Sequence, residues 1–135
     1  MIDHEERNHL ISLRLEQAEH TIQEAQSSLE NGNHSAAANR IYYGMFYAVL
    51  ALGLLHQFET TKHMQLIGWF NKNFIRTGIF SPEIGSYLKT AFETRTNSDY
   101  KVNRTPTTAD LEALLADMKT FISTIKAWLE ANPAA

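Results

Sequence analysis

No cysteine occurs among the 135 residues of the chain. Disulfides, thiolate metal sites and cysteine nucleophiles are therefore excluded. No period-two apolar run bounded by turns occurs either, so no strand is predicted. Glycine-rich phosphate loops, Walker patterns, GxSxG and HExxH are all missing, which removes the common nucleotide, serine-hydrolase and zinc-protease sites. A ferritin-like metal bundle needs inward glutamates and ExxH motifs. The glutamates of the first helix sit away from its apolar seam, so no metal site and no cofactor are expected. The longest apolar run, Ile41 to Leu55, has 15 residues, short of the roughly 20 that a membrane-spanning helix needs. The start, MIDHEERNH, is charged and lacks a signal-peptide core, so the expectation is a soluble cytoplasmic protein outside any membrane. Histidine stops early: His4, His9, His20, His34, His56 and His63 all precede residue 64.

What is present is organised around that apolar run. From Ile41 to Leu55 there is no charge and no proline, and a helix that is hydrophobic all round is a central core helix. Gly44 and Gly53 each weaken such a helix by about 1 kcal/mol relative to alanine, and their expected purpose is close approach of a neighbouring backbone.

Around it the spacing predicts four more helices. Residues 4–30 carry Ile11, Leu15, Ala18, Ile22, Ala25 and Leu29 in a heptad-like seam. Asn31-Gly32-Asn33 stops this helix, with Gly32 suited to a left-handed position, and Ser35 is the expected N-cap of the central helix. A third helix is predicted from Thr61 to Arg76, with Met64, Ile67, Phe70 and Phe74 as its stripe and Thr77-Gly78 as its end. Ser81-Pro82-Glu83 opens a fourth, serine as cap and proline at the first turn. Thr107 and Asp110 make a capping-box-like pair before the last helix. That helix carries a broad seam from Leu111 to Leu129, wide enough for the core or for part of a homodimer contact. The prediction is one domain over 1–135, all-α. It is an up-and-down four-helix bundle with an additional short helix.

Charge is unevenly spread. Residues 62–104 carry seven bases and three acids, a balance of +4, inside a chain whose net charge is −3. Such a basic segment is a candidate polyanion-facing surface. Within it, the apolar face of the fourth helix, Ile84, Tyr87, Leu88, Ala91 and Phe92, runs on into Arg95 and Asp99. A cation that follows an apolar stripe should emerge at the rim of the core. Asp99, one turn on, can orient the Arg95 fork towards a phosphate, and Tyr100 follows at the helix exit. His63, beside Lys62 at a helix start, is the histidine placed to join such a site.

Three stretches together resemble the HEPN domains, small helical bundles of prokaryotic defence and toxin–antitoxin systems. They are Asn39-Arg40-Ile41-Tyr42-Tyr43-Gly44-Met45-Phe46-Tyr47-Ala48, then Lys62-His63 opening a helix that ends near Gly78, then Arg95-x3-Asp99-Tyr100. The likeness covers nearly the whole chain and is greatest to the short stand-alone branch with an R…DY motif. It implies a homodimer, often beside a minimal nucleotidyltransferase. Active members of the wider family are metal-independent ribonucleases that use an arginine, four to six residues, then a histidine. Here Tyr100 stands where that histidine is expected. A tyrosine with a pKa near 10 is a poor general base at neutral pH. The resemblance also implies Tyr100 as an AMP acceptor.

The leading expectation is a nucleotide- or RNA-binding module at Arg40, Tyr43, Arg95, Asp99 and Tyr100, partnered with a nucleotidyltransferase. The alternatives are a metal-independent endoribonuclease in which His63 serves with Arg95 as a catalytic pair, and a helical interaction protein without ligand chemistry.

Overall fold

A computed structural model describes residues 2–97 and 105–133 throughout, and 98–100 as helical backbone. Among the described residues there are five α-helices and no strand: α1 His4–Glu30, α2 His34–Leu55, α3 His63–Phe70, α4 Pro82–Tyr100 and α5 Thr108–Ala131. A π-helical turn, Asn71–Ile75, continues α3. This is the expected all-α bundle, four long helices and one short one. No helix among the described residues is long and apolar enough to cross a membrane.

Local chemistry sets the helix ends. The Asp3 carboxylate accepts a hydrogen bond from the Glu6 amide at 2.8 Å and opens α1. Gly32 closes it at φ +74°, a left-handed conformation that glycine adopts without steric cost. The α2 cap is Asn33 and not the expected Ser35: the Asn33 side-chain oxygen accepts from the Ala36 amide at 3.1 Å. The turn through Gly32 is tight, with the Asn33 amide donating to the Ser28 carbonyl at 2.8 Å. Asn33 therefore reaches the cap position first. Thr107 and Asp110 form the expected capping box at the start of α5, each side chain accepting from the other residue's amide at 3.0 Å.

α2 is the centre of the bundle and packs on all four other helices. Twelve of its 22 residues are buried, and the one stripe they leave, through Arg40, Tyr43, Tyr47, Leu50 and Leu54, is partly exposed, so the apolar run is central without being covered on every face. The short α1–α2 turn makes the two helices antiparallel: Glu24 meets Arg40, and Thr21 lies against Gly44. α5 buries Leu111, Leu114, Leu115, Met118, Phe121, Ile122, Ile125 and Leu129 within the chain itself. The breadth of its seam is thus used by the core.

The glycines of α2 differ. At Gly53 a Cβ would lie 2.7 Å from the Phe58 carbonyl oxygen, so the backbone approach expected there is present. The Phe58 amide donates to the Gly53 carbonyl at 2.8 Å and folds the α2–α3 connection back on the helix. At Gly44 the neighbours are the side chains of Met118 and Thr21, not backbone.

α3 departs from expectation in its length and its stripe. It ends at Phe70 and gives way to the π turn. The buried residues are Leu66, Phe70 and Phe74, while Met64 is 64% exposed. Leu66, Phe70 and Phe74 recur every four residues and put two phenyl rings into the core, stacked with each other and on Phe80. Fully burying a phenylalanine is worth about 1.5–3 kcal/mol, so this pair outweighs one methionine and sets the rotation of the segment. Met64 is then turned outward.

Candidate functional site

Three helices converge on one aromatic wall. α2 supplies Arg40, Tyr42, Tyr43 and Phe46, whose three- and four-residue spacing stacks them on one side of the helix. α3 begins at His63 against that side, and α4 brings Arg95 from its C-terminal half. The Tyr42 side chain is completely buried, and its hydroxyl lies 2.9 Å from His63 Nδ1. The imidazole stacks on Phe46, centroids 4.4 Å apart, and meets Tyr43 edge-on at 5.6 Å. Phe92 of α4 closes the far side of Tyr42 at 5.6 Å.

Two guanidinium groups share this wall. The central carbon of Arg95 is 5.4 Å from the Tyr43 ring centroid and 5.8 Å from that of Tyr42. The Arg40 carbon is 5.5 Å from the Tyr43 centroid. Both are within the range where the negative ring face attracts a cation. Arg40 is steadied by its neighbours: its Nε and Nη2 donate to Asn39 Oδ1 at 3.0 and 2.8 Å, and its Nη1 is 3.5 Å from a Glu24 carboxylate oxygen. Arg95 is half-buried with its Nε out of solvent, at the rim of the core where the apolar stripe of α4 ends.

The electrostatics follow from this packing. Burial, and then the adjacent Arg95 charge, push the His63 pKa below its ordinary value. Burial pushes the Tyr42 phenol above its usual range, Tyr43 adds to this, and Arg95 opposes it. The cluster therefore holds a fixed cation beside a neutral imidazole, which is backed by a buried neutral phenol. A planar guanidinium beside neutral donors suits a phosphate or another oxyanion. Among the described residues no group of histidines and carboxylates is placed to hold a metal ion.

Of the residues singled out in the sequence, Arg40, Tyr43, His63 and Arg95 are brought together here. The side chains of Asp99 and Tyr100 lie outside the described residues, and with them the Arg95–Asp99 pair and the AMP-acceptor position. Tyr42, Phe46, Phe92 and Glu24 also belong to the cluster and were not anticipated as site residues. For Tyr42 a signal existed: a phenol inside an otherwise apolar run must find a hydrogen-bond partner when buried.

Comparison with known proteins agrees with this architecture. The model of the HEPN domain matches residues 11–128, a range that includes every residue of the wall. A UPF0332 protein of Thermotoga maritima is 34% identical over 95 residues, covering 70% of this chain and 72% of the relative. A protein of Methanocaldococcus jannaschii named "Putative toxin MJ0142" is 30% identical over 115 residues, 85% of this chain and 78% of the relative. A UPF0332 protein of Pyrococcus horikoshii is 29% identical over 113 residues, 83% and 74% of the two chains. With a five-helix bundle among the described residues and a family match that begins within α1 and ends within α5, the chain belongs to the HEPN domain family.

Proposed function

We propose that this HEPN chain is a nucleotide- or RNA-binding module of a toxin–antitoxin-type pair, a single domain that works as a cytoplasmic homodimer beside a minimal nucleotidyltransferase. Arg40, Tyr43, Arg95, Asp99 and Tyr100 are the residues that contact the ligand. The observation that carries this reading is the placement of Arg95: a half-buried guanidinium held on the faces of Tyr42 and Tyr43, 5.8 and 5.4 Å away, beside a neutral histidine. A cation kept at the rim of a core by aromatic rings is preorganised for an anion. The balance of +4 over residues 62–104 is a sequence feature that favours an anionic ligand. The toxin name of the M. jannaschii relative supports the setting.

The test is fluorescence anisotropy with a labelled single-stranded RNA, competed with unlabelled ATP. Arg95→Ala should weaken binding by at least about tenfold, equivalent to ~1.4 kcal/mol. A wild-type protein that binds neither RNA nor ATP would overturn the reading. Co-expression with a neighbouring nucleotidyltransferase should give a complex that co-elutes; separate elution removes that partner. RNA cleavage in EDTA that is lost in both Arg95→Ala and His63→Ala would instead identify an endoribonuclease.

A further inference from the structure

We infer that Tyr42 is a positioning residue: its buried hydroxyl donates to His63 Nδ1 and fixes the imidazole as the Nε2–H tautomer, so that His63 offers the phosphate of a bound nucleotide or RNA a neutral hydrogen-bond donor beside the Arg95 cation. This inference rests on the binding reading above and adds to it the role of two residues.

The direction of the Tyr42–His63 bond follows from which groups can be satisfied. The Tyr42 side chain has no solvent exposure, and among the described residues its hydroxyl has one hydrogen-bond partner, His63 Nδ1 at 2.9 Å. If Nδ1 carried the proton, it would donate to the phenolic oxygen and leave the hydroxyl hydrogen buried without an acceptor. A buried donor left unmade costs about 1–3 kcal/mol. If Nδ1 is the acceptor, the hydroxyl is satisfied and the ring proton moves to Nε2. A doubly protonated ring would restore the first problem and place a second positive charge beside Arg95. Burial and Arg95 already hold His63 towards the neutral form.

The consequence is chemical. In the Nε2–H tautomer the Nδ1 lone pair is engaged by Tyr42 and Nε2 has none to offer. His63 then cannot take a proton from a ribose hydroxyl and can only donate a hydrogen bond. Phe46, stacked at 4.4 Å, holds the plane of the ring. The pair presents one charge and one neutral donor, which matches the single negative charge of a phosphodiester.

The test reads the tautomer directly, in the full chain, by long-range proton–nitrogen NMR correlation of the His63 ring at pH 7.5, assigned with His63→Gln. Nε2 should be protonated and Nδ1 bare in the wild type, and Tyr42→Phe should give averaged tautomers. Anisotropy with the labelled RNA should show Tyr42→Phe weakening binding by about twofold, the loss expected when about half of the rings carry Nε2–H. Its salt dependence should stay unchanged, because a neutral donor releases no counterion. His63→Gln keeps an amide donor and should stay within about threefold of wild type, while His63→Ala should not. An Nδ1–H or averaged ring in the wild type overturns the inference whatever the RNA result, as does a Tyr42→Phe protein with unaltered tautomer and affinity. A locked Nε2–H ring in a protein that binds neither RNA nor ATP upholds the positioning by Tyr42 and overturns the binding reading alone.

Discussion

Arg95 and His63 come from different helices and share the wall made by Tyr42 and Tyr43, and the guanidinium of the first helps keep the imidazole of the second uncharged. The two are separated by 32 positions in the chain. The α2 aromatic residues make them neighbours by giving each a ring to lie on. The charge state of the cluster and the core packing are therefore coupled at this end of the bundle.

Removing the charge should release the histidine. Arg95→Gln keeps a polar side chain of similar reach and deletes the repulsion that lowers the His63 pKa. Burial is the larger cause and remains. The His63 ring, followed by NMR titration, should therefore titrate at higher pH than in the wild type while staying below 6.5, its ordinary value. An unchanged titration would show that Arg95 does not act on His63.

The same shift links His63 to stability. Above pH 6.5 the ring is neutral in both folded and unfolded chains and imposes no penalty. As the pH falls through 6.5 the unfolded chain takes up the proton first, so stability drops until the pH passes the lower folded-state pKa. Thermal melts between pH 7.5 and 5.5 should show the wild type losing more Tm than His63→Gln. Equal losses would rule out a depressed His63.

The bundle was legible in the sequence because its signals are local and strong. The 3.6-residue periodicity of α1 and α5, the uniformly apolar α2 and the Thr107–Asp110 box each specify an element without reference to the others. The errors fell where tertiary packing chooses between near-equal local options. Asn33 and Ser35 are both good caps, and the tight turn through Gly32 decided between them. The α3 stripe was read through Met64 because its spacing fits, but the stacking of Phe70, Phe74 and Phe80 rotated the segment. Arg95 and His63 were visible as a cation at the end of an apolar stripe and a histidine at a helix start. Their common contact with Tyr42 was not, since nothing in the spacing pairs residue 42 with residue 63.

Gly53 and Gly68 should respond oppositely to alanine. Both lie in helices, where alanine gains roughly 0.5–1 kcal/mol over glycine. At Gly68 a Cβ meets nothing within 4 Å, so Gly68→Ala should be stabilising by about that amount. At Gly53 it would sit 2.7 Å from the Phe58 carbonyl oxygen, backbone that is tied to Gly53 itself. Gly53→Ala should lose about 1–3 kcal/mol net. At roughly 3 °C per kcal/mol for a chain of this size, Tm should rise slightly in the first and fall by several degrees in the second. Urea melts that place both changes on the same side of wild type would contradict the close approach.

Asp117 should be a stabilising site once its charge is removed. It lines a cavity of about 280 Å³ with Thr90, Thr94, Asn97 and Asp110, and burial raises its pKa above 3.8. With the folded pKa higher than the unfolded one, stability is lost as the pH rises through the folded value, and the charged form at pH 7 carries the desolvation cost. Asp117→Asn should therefore be more stable than wild type at pH 7, and the advantage should shrink on approaching pH 4. An advantage that is constant with pH would assign the effect to packing.

Glu24 should act as a brake on anion binding through Arg40. Its carboxylate lies 3.5 Å from the guanidinium, and the two side chains are 44% and 31% exposed. An exposed pair of this kind contributes about 0–1 kcal/mol, so breaking it should scarcely change the fold. Its effect on a ligand is larger in proportion, because the carboxylate both cancels the Arg40 charge and competes for its donors. Glu24→Gln should thus tighten RNA binding several-fold at low salt, with the gain fading as ionic strength rises and screening shortens to about 10 Å at 0.1 M. Arg40→Gln should weaken binding and reduce the slope of log affinity against log salt by about 0.7, the value for one single-strand phosphate contact. A Glu24→Gln protein with wild-type affinity at low salt, together with an Arg40→Gln protein of unaltered slope, would remove Arg40 from the binding surface and leave its role on the Tyr43 ring to Arg95.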